Sequence, residues 1–119
     1  EVQDQADIII VLSHAGLTVN REIAQQVSGI DLIKLDIQSG ELAALQGAEK
    51  MLRTGVQLVY SEVFFNPMYK GGALFGEIDA YLRGLDFVLY DMYKPKYGAD
   101  RLLAYANAIE MGLGTALEN

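Results

Sequence analysis

Three side chains with acid–base or metal-binding chemistry stand at the ends of predicted strands. His14 follows the apolar run Ile8–Leu12, Asp36 ends the second strand segment, and Glu62 lies in the third. Because ligand sites in open α/β sheets lie at the carboxyl ends of parallel strands, we expect these residues on one rim. A histidine with two carboxylates can act as a general acid–base set or hold a weakly bound divalent ion. The alternative is that they are polar residues that simply finish their strands.

Other candidate sites are weaker. A two-metal centre needs several histidine and carboxylate ligands, whereas the chain has one histidine and no cysteine, so we expect no metal site. Ser39 and Gly40 at a helix start suit an anion or a plain N-cap. The basic turn of Lys94, Lys96 and Arg101 is interpreted as solvated surface. Aromatic residues at strand and helix spacing are interpreted as core, namely Tyr60, Phe64, Phe65, Tyr69 and Phe75.

Hydrophobic periodicity and turn residues predict the elements that carry these side chains. Strands are expected at about 8–12, 31–37, 56–65, 87–93 and 102–109, and helices at about 18–28, 39–53 and 73–85. Strand–helix alternation predicts an α/β domain with a mainly parallel, Rossmann-like five-stranded sheet. The turn Lys94–Asp100 is too short for a crossover, so the last two strands should form an antiparallel hairpin.

Composition limits the class of protein. The 119 residues are 51% hydrophobic and 21% charged, which fits one globular domain over residues 1–119. A net charge of −7 argues against a nucleic-acid partner. No apolar run approaches the roughly 20 residues that cross a bilayer, so we expect no membrane partner. The acidic start EVQDQAD lacks the features of a signal peptide, which leaves a cytoplasmic location as the expectation for the expressed chain.

Residues 31–110 resemble the C-terminal half of FkbM-type methyltransferases. The resemblance rests on the motifs KLD, GE, LQGA, SEV, PxY and LF, which follow one another from Lys34 to Phe75, and on the segment from Leu82 to Phe87. It implies a class I methyltransferase fold with S-adenosylmethionine as cofactor and an oxygen acceptor on a small or sugar-derived molecule. Such enzymes hold the cofactor mainly through a glycine-rich turn after the first strand and an acidic residue after the second. Here the first strand is followed by a lone glycine, Gly16, and no acidic residue stands at the expected place after the second strand. Asp36 and Glu62 border the pocket that the resemblance implies.

Residues 6–33 are similar to a segment of the 5′-nucleotidase branch of calcineurin-like metallophosphoesterases. The similarity includes Leu-Ser-His-x-Gly, whose histidine, here His14, is a metal ligand in that family. The family continues into Gly-Gly-His-Ser-His, whereas this chain continues into Lys34-Leu-Asp. His14 is therefore interpreted as an orphaned ligand, and the sequence as a chimera of a grafted strand–helix unit, 1–33, and a methyltransferase-like half, 34–119.

The order of elements also predicts an uncovered surface. Right-handed crossovers with strand order 1-2-3-5-4, strand 5 antiparallel, place every helix on one face of the sheet. A bare second face exceeds what monomers usually expose, so a homodimer is expected. A helical tail across that face, or the order 2-1-3-5-4, are the alternatives.

These observations predict an engineered or recombined domain with no catalytic residue, no cofactor and no defined native activity. One alternative is a remnant methyltransferase-like domain that binds S-adenosylmethionine weakly through Asp36 and Glu62. The other is a homodimeric interaction module. The small-molecule ligand stays unknown.

Overall fold

The computed structural model describes residues 10–13, 31–37, 40–68 and 70–113, with side chains from residue 31 onward. The predicted helix at 18–28, the tail after residue 113, His14, Ser39 and Tyr69 lie outside the described residues. The strands are β1 (Ile10–Ser13), β2 (Leu32–Leu35), β3 (Leu58–Phe64), β4 (Phe87–Tyr97) and β5 (Leu103–Gly112), and the helices are α1 (Glu41–Gly47), α2 (Glu49–Thr54) and α3 (Phe75–Arg83).

The sheet is mixed, which corrects the prediction of a mainly parallel, Rossmann-like sheet. The four strands with described side chains lie in the order β2-β3-β5-β4, and β5 is antiparallel to both of its neighbours. Within the described residues, parallel pairing is limited to β1–β2 and β2–β3, over four residues each, whereas the two antiparallel ladders are longer. The antiparallel hairpin itself is confirmed, because the short connection between β4 and β5 leaves no room for a crossover. The four residues of β1 pair with β2 at the edge, so the alternative order 2-1-3-5-4 is wrong.

Several element boundaries differ from the sequence prediction. The single helix expected from Ser39 is interrupted at Ala48, whose backbone (φ −95°, ψ 12°) separates α1 from α2. The turn expected at Lys94–Asp100 is shorter, because β4 continues from Tyr93 to Tyr97 through the last two of three irregularities in its register with β5. Pro95 is tolerated there because β4 is an edge strand.

All three described helices pack on one face of the sheet, called the helix face. Alternate residues of β2, β3 and β5 point to it, for example Ile33, Val59 and Ala108, and each is at most 4% exposed. The helices contribute Leu45 and Leu82, both fully buried, to the same cluster. Burial of these apolar side chains is the main force that holds the helices on the sheet.

The opposite side of the sheet is called the second face. It carries the other residues of each strand, such as Lys34, Tyr60 and Ile109, which are half-buried or exposed. None of the three described helices packs there, since their buried residues belong to the helix-face cluster. Among the described residues, no helix has the length and apolarity to cross a membrane.

Candidate functional site

Three carboxylates meet where β2 and β3 end and α1 begins. Asp36 follows β2 directly and is exposed, Glu62 lies near the end of β3, and Glu41 is the first residue of α1. Because β2 and β3 run parallel, their carboxyl ends lie at the same edge of the sheet. We call Asp36, Glu41 and Glu62 the carboxylate edge. The structure thus brings together the two cofactor-site residues that the sequence predicts and adds a third.

Glu41 is held in place by its surroundings. It is 3% exposed, and its Oε2 accepts a hydrogen bond from the backbone N–H of Ile37 at 2.9 Å. This bond joins Ile37, two residues after β2, to the first residue of α1. Gly40, at the N-cap position, approaches the Ile37 side chain so closely that a Cβ would lie 3.0 Å from Cδ1. The capping role predicted for Ser39 falls outside the described residues, and Gly40 makes no side-chain cap.

The carboxylate edge is electrostatically unfavourable for a charged Glu62. Burial raises the pKa of Glu62 above its ordinary value, and the nearby charges of Asp36 and Glu41 raise it further. Like charges that share a partly buried site disfavour ionisation. A carboxylate with a raised pKa binds a proton more strongly than an ordinary glutamate does, and the neighbouring carboxylates attract cations.

The other sequence candidates lie elsewhere in the fold. Lys94, Lys96 and Arg101 are exposed around the β4–β5 hairpin, as expected for solvated surface. Within the described ranges, no group of three or more His, Cys, Asp or Glu side chains is arranged to hold a metal ion.

The aromatic residues are only partly core. Phe64 is 4% exposed, and Phe65 packs on Phe75 with ring centroids 5.5 Å apart. Tyr60 corrects the core prediction, because it lies on the second face with the Lys34 Nζ 5.2 Å from its ring centroid.

A second ionisable cluster lies on the helix face and was missed by sequence reasoning. Glu110 on β5 is 2% exposed, and both of its carboxyl oxygens, together with Oδ1 of Asp79, lack a hydrogen-bond donor among the described residues. Asp79 lies on α3, where its Oδ2 accepts a hydrogen bond from Arg83 Nε at 2.9 Å. A proton on Glu110 supplies the missing donor towards Asp79. The sequence signal was the alternation Ala106, Ala108, Glu110, which continues the buried side of β5.

The pKa values of Glu110 and Asp79 shift in opposite directions, as expected for two carboxyl groups that share one proton. Burial, followed by the hydrogen bond and charge of Asp79, raises the pKa of Glu110 to about 8. Burial alone would raise the pKa of Asp79 too, but hydrogen bonds from Arg83 and Glu110 lower it. At neutral pH the pair therefore holds one proton, on Glu110, and one negative charge, on Asp79 beside Arg83.

Comparison with known proteins identifies two similarities. A probable 5′-nucleotidase of Treponema pallidum (strain Nichols) is 47% identical over 60 residues, which is 50% of this chain and 9% of that protein. The chain thus spans less than a tenth of the length of this relative. No solved structure matches significantly. The sequence profile of the family described as "Methyltransferase FkbM domain" matches residues 16–89, more than half of the chain, and includes the whole carboxylate edge. The chain therefore belongs to the FkbM methyltransferase domain family.

Proposed function

We propose that the carboxylate edge is the cofactor-facing and acceptor-facing part of an S-adenosylmethionine-dependent methyltransferase site. The observation that carries this proposal is the convergence of Asp36, Glu41 and Glu62 at the carboxyl ends of parallel strands, within the segment that matches the family. In open α/β sheets this edge is where ligands bind.

The residues fit the charge of the group that they would hold. S-adenosylmethionine, when bound, supplies a methyl group activated by a positively charged sulfonium. Asp36 is exposed at the edge and offers a carboxylate to that cation, whereas Glu41 is already engaged with the Ile37 N–H. A concentration of negative charge in a partly buried site attracts a cation more strongly than the same charges do in water.

Glu62 is the residue best suited to proton transfer. Its raised pKa makes the Glu62 carboxylate a stronger base than an ordinary glutamate, which favours general-base catalysis. We assign it the role of accepting the proton of an acceptor hydroxyl group. Asp36 and Glu41 support this role through their charges, which increase the proton affinity of Glu62.

The second candidate is that the chain is a recombined domain that catalyses no methyl transfer. It is favoured by the sequence that follows the first strand, in which Gly16 is a lone glycine where such enzymes have a glycine-rich cofactor turn. The two-metal chemistry of phosphoesterases is not proposed, because the chain has a single histidine. Residues 1–33 and 34–119 would then be a strand–helix unit joined to a methyltransferase-like half, with any cofactor binding weak.

Thermal unfolding with S-adenosylmethionine separates these candidates. A ligand at about 100 times its dissociation constant stabilises the folded state by about 2.7 kcal/mol, which raises the Tm by several degrees. We expect this shift for the chain itself and a smaller one for Asp36→Asn. The exposed Glu49→Gln on α2 serves as the control and should behave like the unmodified chain.

The proton-transfer role needs a separate readout. With a hydroxyl acceptor that is turned over, Glu62→Gln should abolish release of S-adenosylhomocysteine while the thermal shift with S-adenosylmethionine persists. A shift without turnover by any acceptor would favour the second candidate. A melt that is flat at millimolar S-adenosylmethionine would overturn the first.

A further inference from the structure

The second face of the sheet has a charge pattern that is complementary to itself. Registered strand pairs place Lys34, Tyr60, Ile109 and Asp91 in one row across β2, β3, β5 and β4. Lys34 and Asp91, at opposite ends of this row, are both exposed. Neighbouring strands lie about 4.8 Å apart, so the two charges are separated by three strand spacings within one chain and do not pair.

The adjacent row is entirely apolar. Leu32, Leu58, Met111 and Val88 occupy the same four strands one step earlier along β2, and each is only half-buried. With Tyr60 and Ile109 these side chains form a continuous apolar area bounded by one positive and one negative end. Contiguous apolar surfaces rimmed by polar groups are typical of protein–protein contacts.

We propose that this face binds a second copy of the chain, with a two-fold axis that runs parallel to the strands between β3 and β5. Such an axis places β2 of one copy over β4 of the other. Each row of one copy then lies over the same row of the other copy. Lys34 then faces the partner's Asp91, and the reverse pair forms at the other end of the row. Tyr60 packs against the partner's Ile109, and the apolar rows meet in the same way.

The charges also select this axis over another. A two-fold axis across the strands at the level of the charged row would place Lys34 over Lys34 and Asp91 over Asp91 of the other copy. Like charges in a desolvated contact cost free energy, whereas the parallel axis gives two opposite-charge pairs. In a two-fold dimer the same surface of each copy forms the contact, so that surface must be complementary to itself. A row with a positive charge at one end and a negative charge at the other meets this requirement.

Charge reversal in solution tests both the dimer and its register. Light scattering and sedimentation equilibrium at tens of micromolar should show a dimer for the unmodified chain. Lys34→Glu and Asp91→Lys should each raise the dimer dissociation constant at least tenfold. The double variant K34E/D91K should restore dimerisation, because it exchanges the two ends of each pair. The exposed Lys50→Glu on α2 changes the same charge away from the face and should leave the mass unchanged.

Three results would overturn the proposal. One is a monomer at all concentrations, which would indicate that another part of this chain covers the face. A dimer insensitive to Lys34→Glu would place the contact elsewhere. If the double variant K34E/D91K did not regain dimerisation, the pairing of Lys34 with the partner's Asp91 would be excluded. Glu62 follows Tyr60 one step further along the same face of β3, so the masses are measured without cofactor, and their outcome leaves the cofactor test of the carboxylate edge separate.

Discussion

Glu110 is expected to make the stability of this fold fall as the pH rises. The residue lies on the helix face between Val59 of β3 and Leu89 of β4, and it faces Asp79 and Arg83 of α3. Its pKa is about 8 in the folded protein and about 4.5 as an ordinary side chain. Between these values the folded state holds one more proton than the unfolded chain. The stabilisation is therefore complete below pH 4.5 and is lost as the pH rises through about 8.

The magnitude follows from the difference between the two pKa values. One bound proton changes the free energy of unfolding by about 1.4 kcal/mol per pH unit, or about 3 kcal/mol between pH 5 and pH 8. Glu110→Gln keeps the size of the side chain, retains a donor for Asp79 and removes the titration. The variant should therefore match the unmodified chain near pH 5 and exceed it by about 3 kcal/mol at pH 8.

Urea unfolding followed by circular dichroism, repeated from pH 5 to pH 8, measures this difference. The control is Glu49→Gln, an exposed carboxylate on α2 whose ion pair with Arg53 is a surface contact. Exposed pairs contribute about 0–1 kcal/mol, so the control curve should run parallel to that of the unmodified chain. Curves for Glu110→Gln and the unmodified chain that stay parallel over the whole range would refute the assignment of a protonated Glu110.

Four further predictions concern the core, two glycines and the carboxylate edge. Leu82→Ala removes a fully buried side chain and should lower the free energy of unfolding by about 2–5 kcal/mol in urea titrations. Gly40→Ala should lower stability by about 1 kcal/mol because a side chain must move aside. Gly76→Ala, which meets nothing within 4 Å in α3, should raise stability by up to about 1 kcal/mol. Asp36→Asn should lower the pKa of Glu62 in an NMR titration, and an unchanged value would contradict their coupling.

The sequence predicts the order of the described elements well because each carries a strong local signal. Continuous or alternating apolar residues indicate β2 and β3, and the spacing of Ile78 and Leu82 indicates α3. The short connection after β4 is sufficient to predict the reversal of β5. The share of antiparallel pairing in the sheet was underestimated. The number of residues that two strands pair is set by the tertiary fold, and the antiparallel pairs are the longer ones here. The continuation of β4 through Pro95 depends on its position at the edge of the sheet.

The candidate site was predicted in part for a similar reason. Asp36 and Glu62 follow apolar strand segments, so their position at one edge can be read from strand polarity alone. No position at this edge could be predicted for Glu41 from the sequence, since its contact with the Ile37 N–H forms only in the folded chain. The pairing of Glu110 with Asp79 joins residues far apart in sequence, and only the packing of α3 on β5 brings them together.

NMR titration of the whole chain with S-adenosylmethionine tests the central claim most directly. If the carboxylate edge holds this cofactor, amide shifts should change with saturation at residues 35–37, 40–41 and 61–63, and Asp36→Asn should weaken the effect. Amides at the opposite edge of the sheet, Phe87 to Leu89 and Met111 to Gly112, should stay unchanged and serve as the internal control. Spectra unaffected by millimolar S-adenosylmethionine, or changes confined to residues outside that edge, would contradict the account.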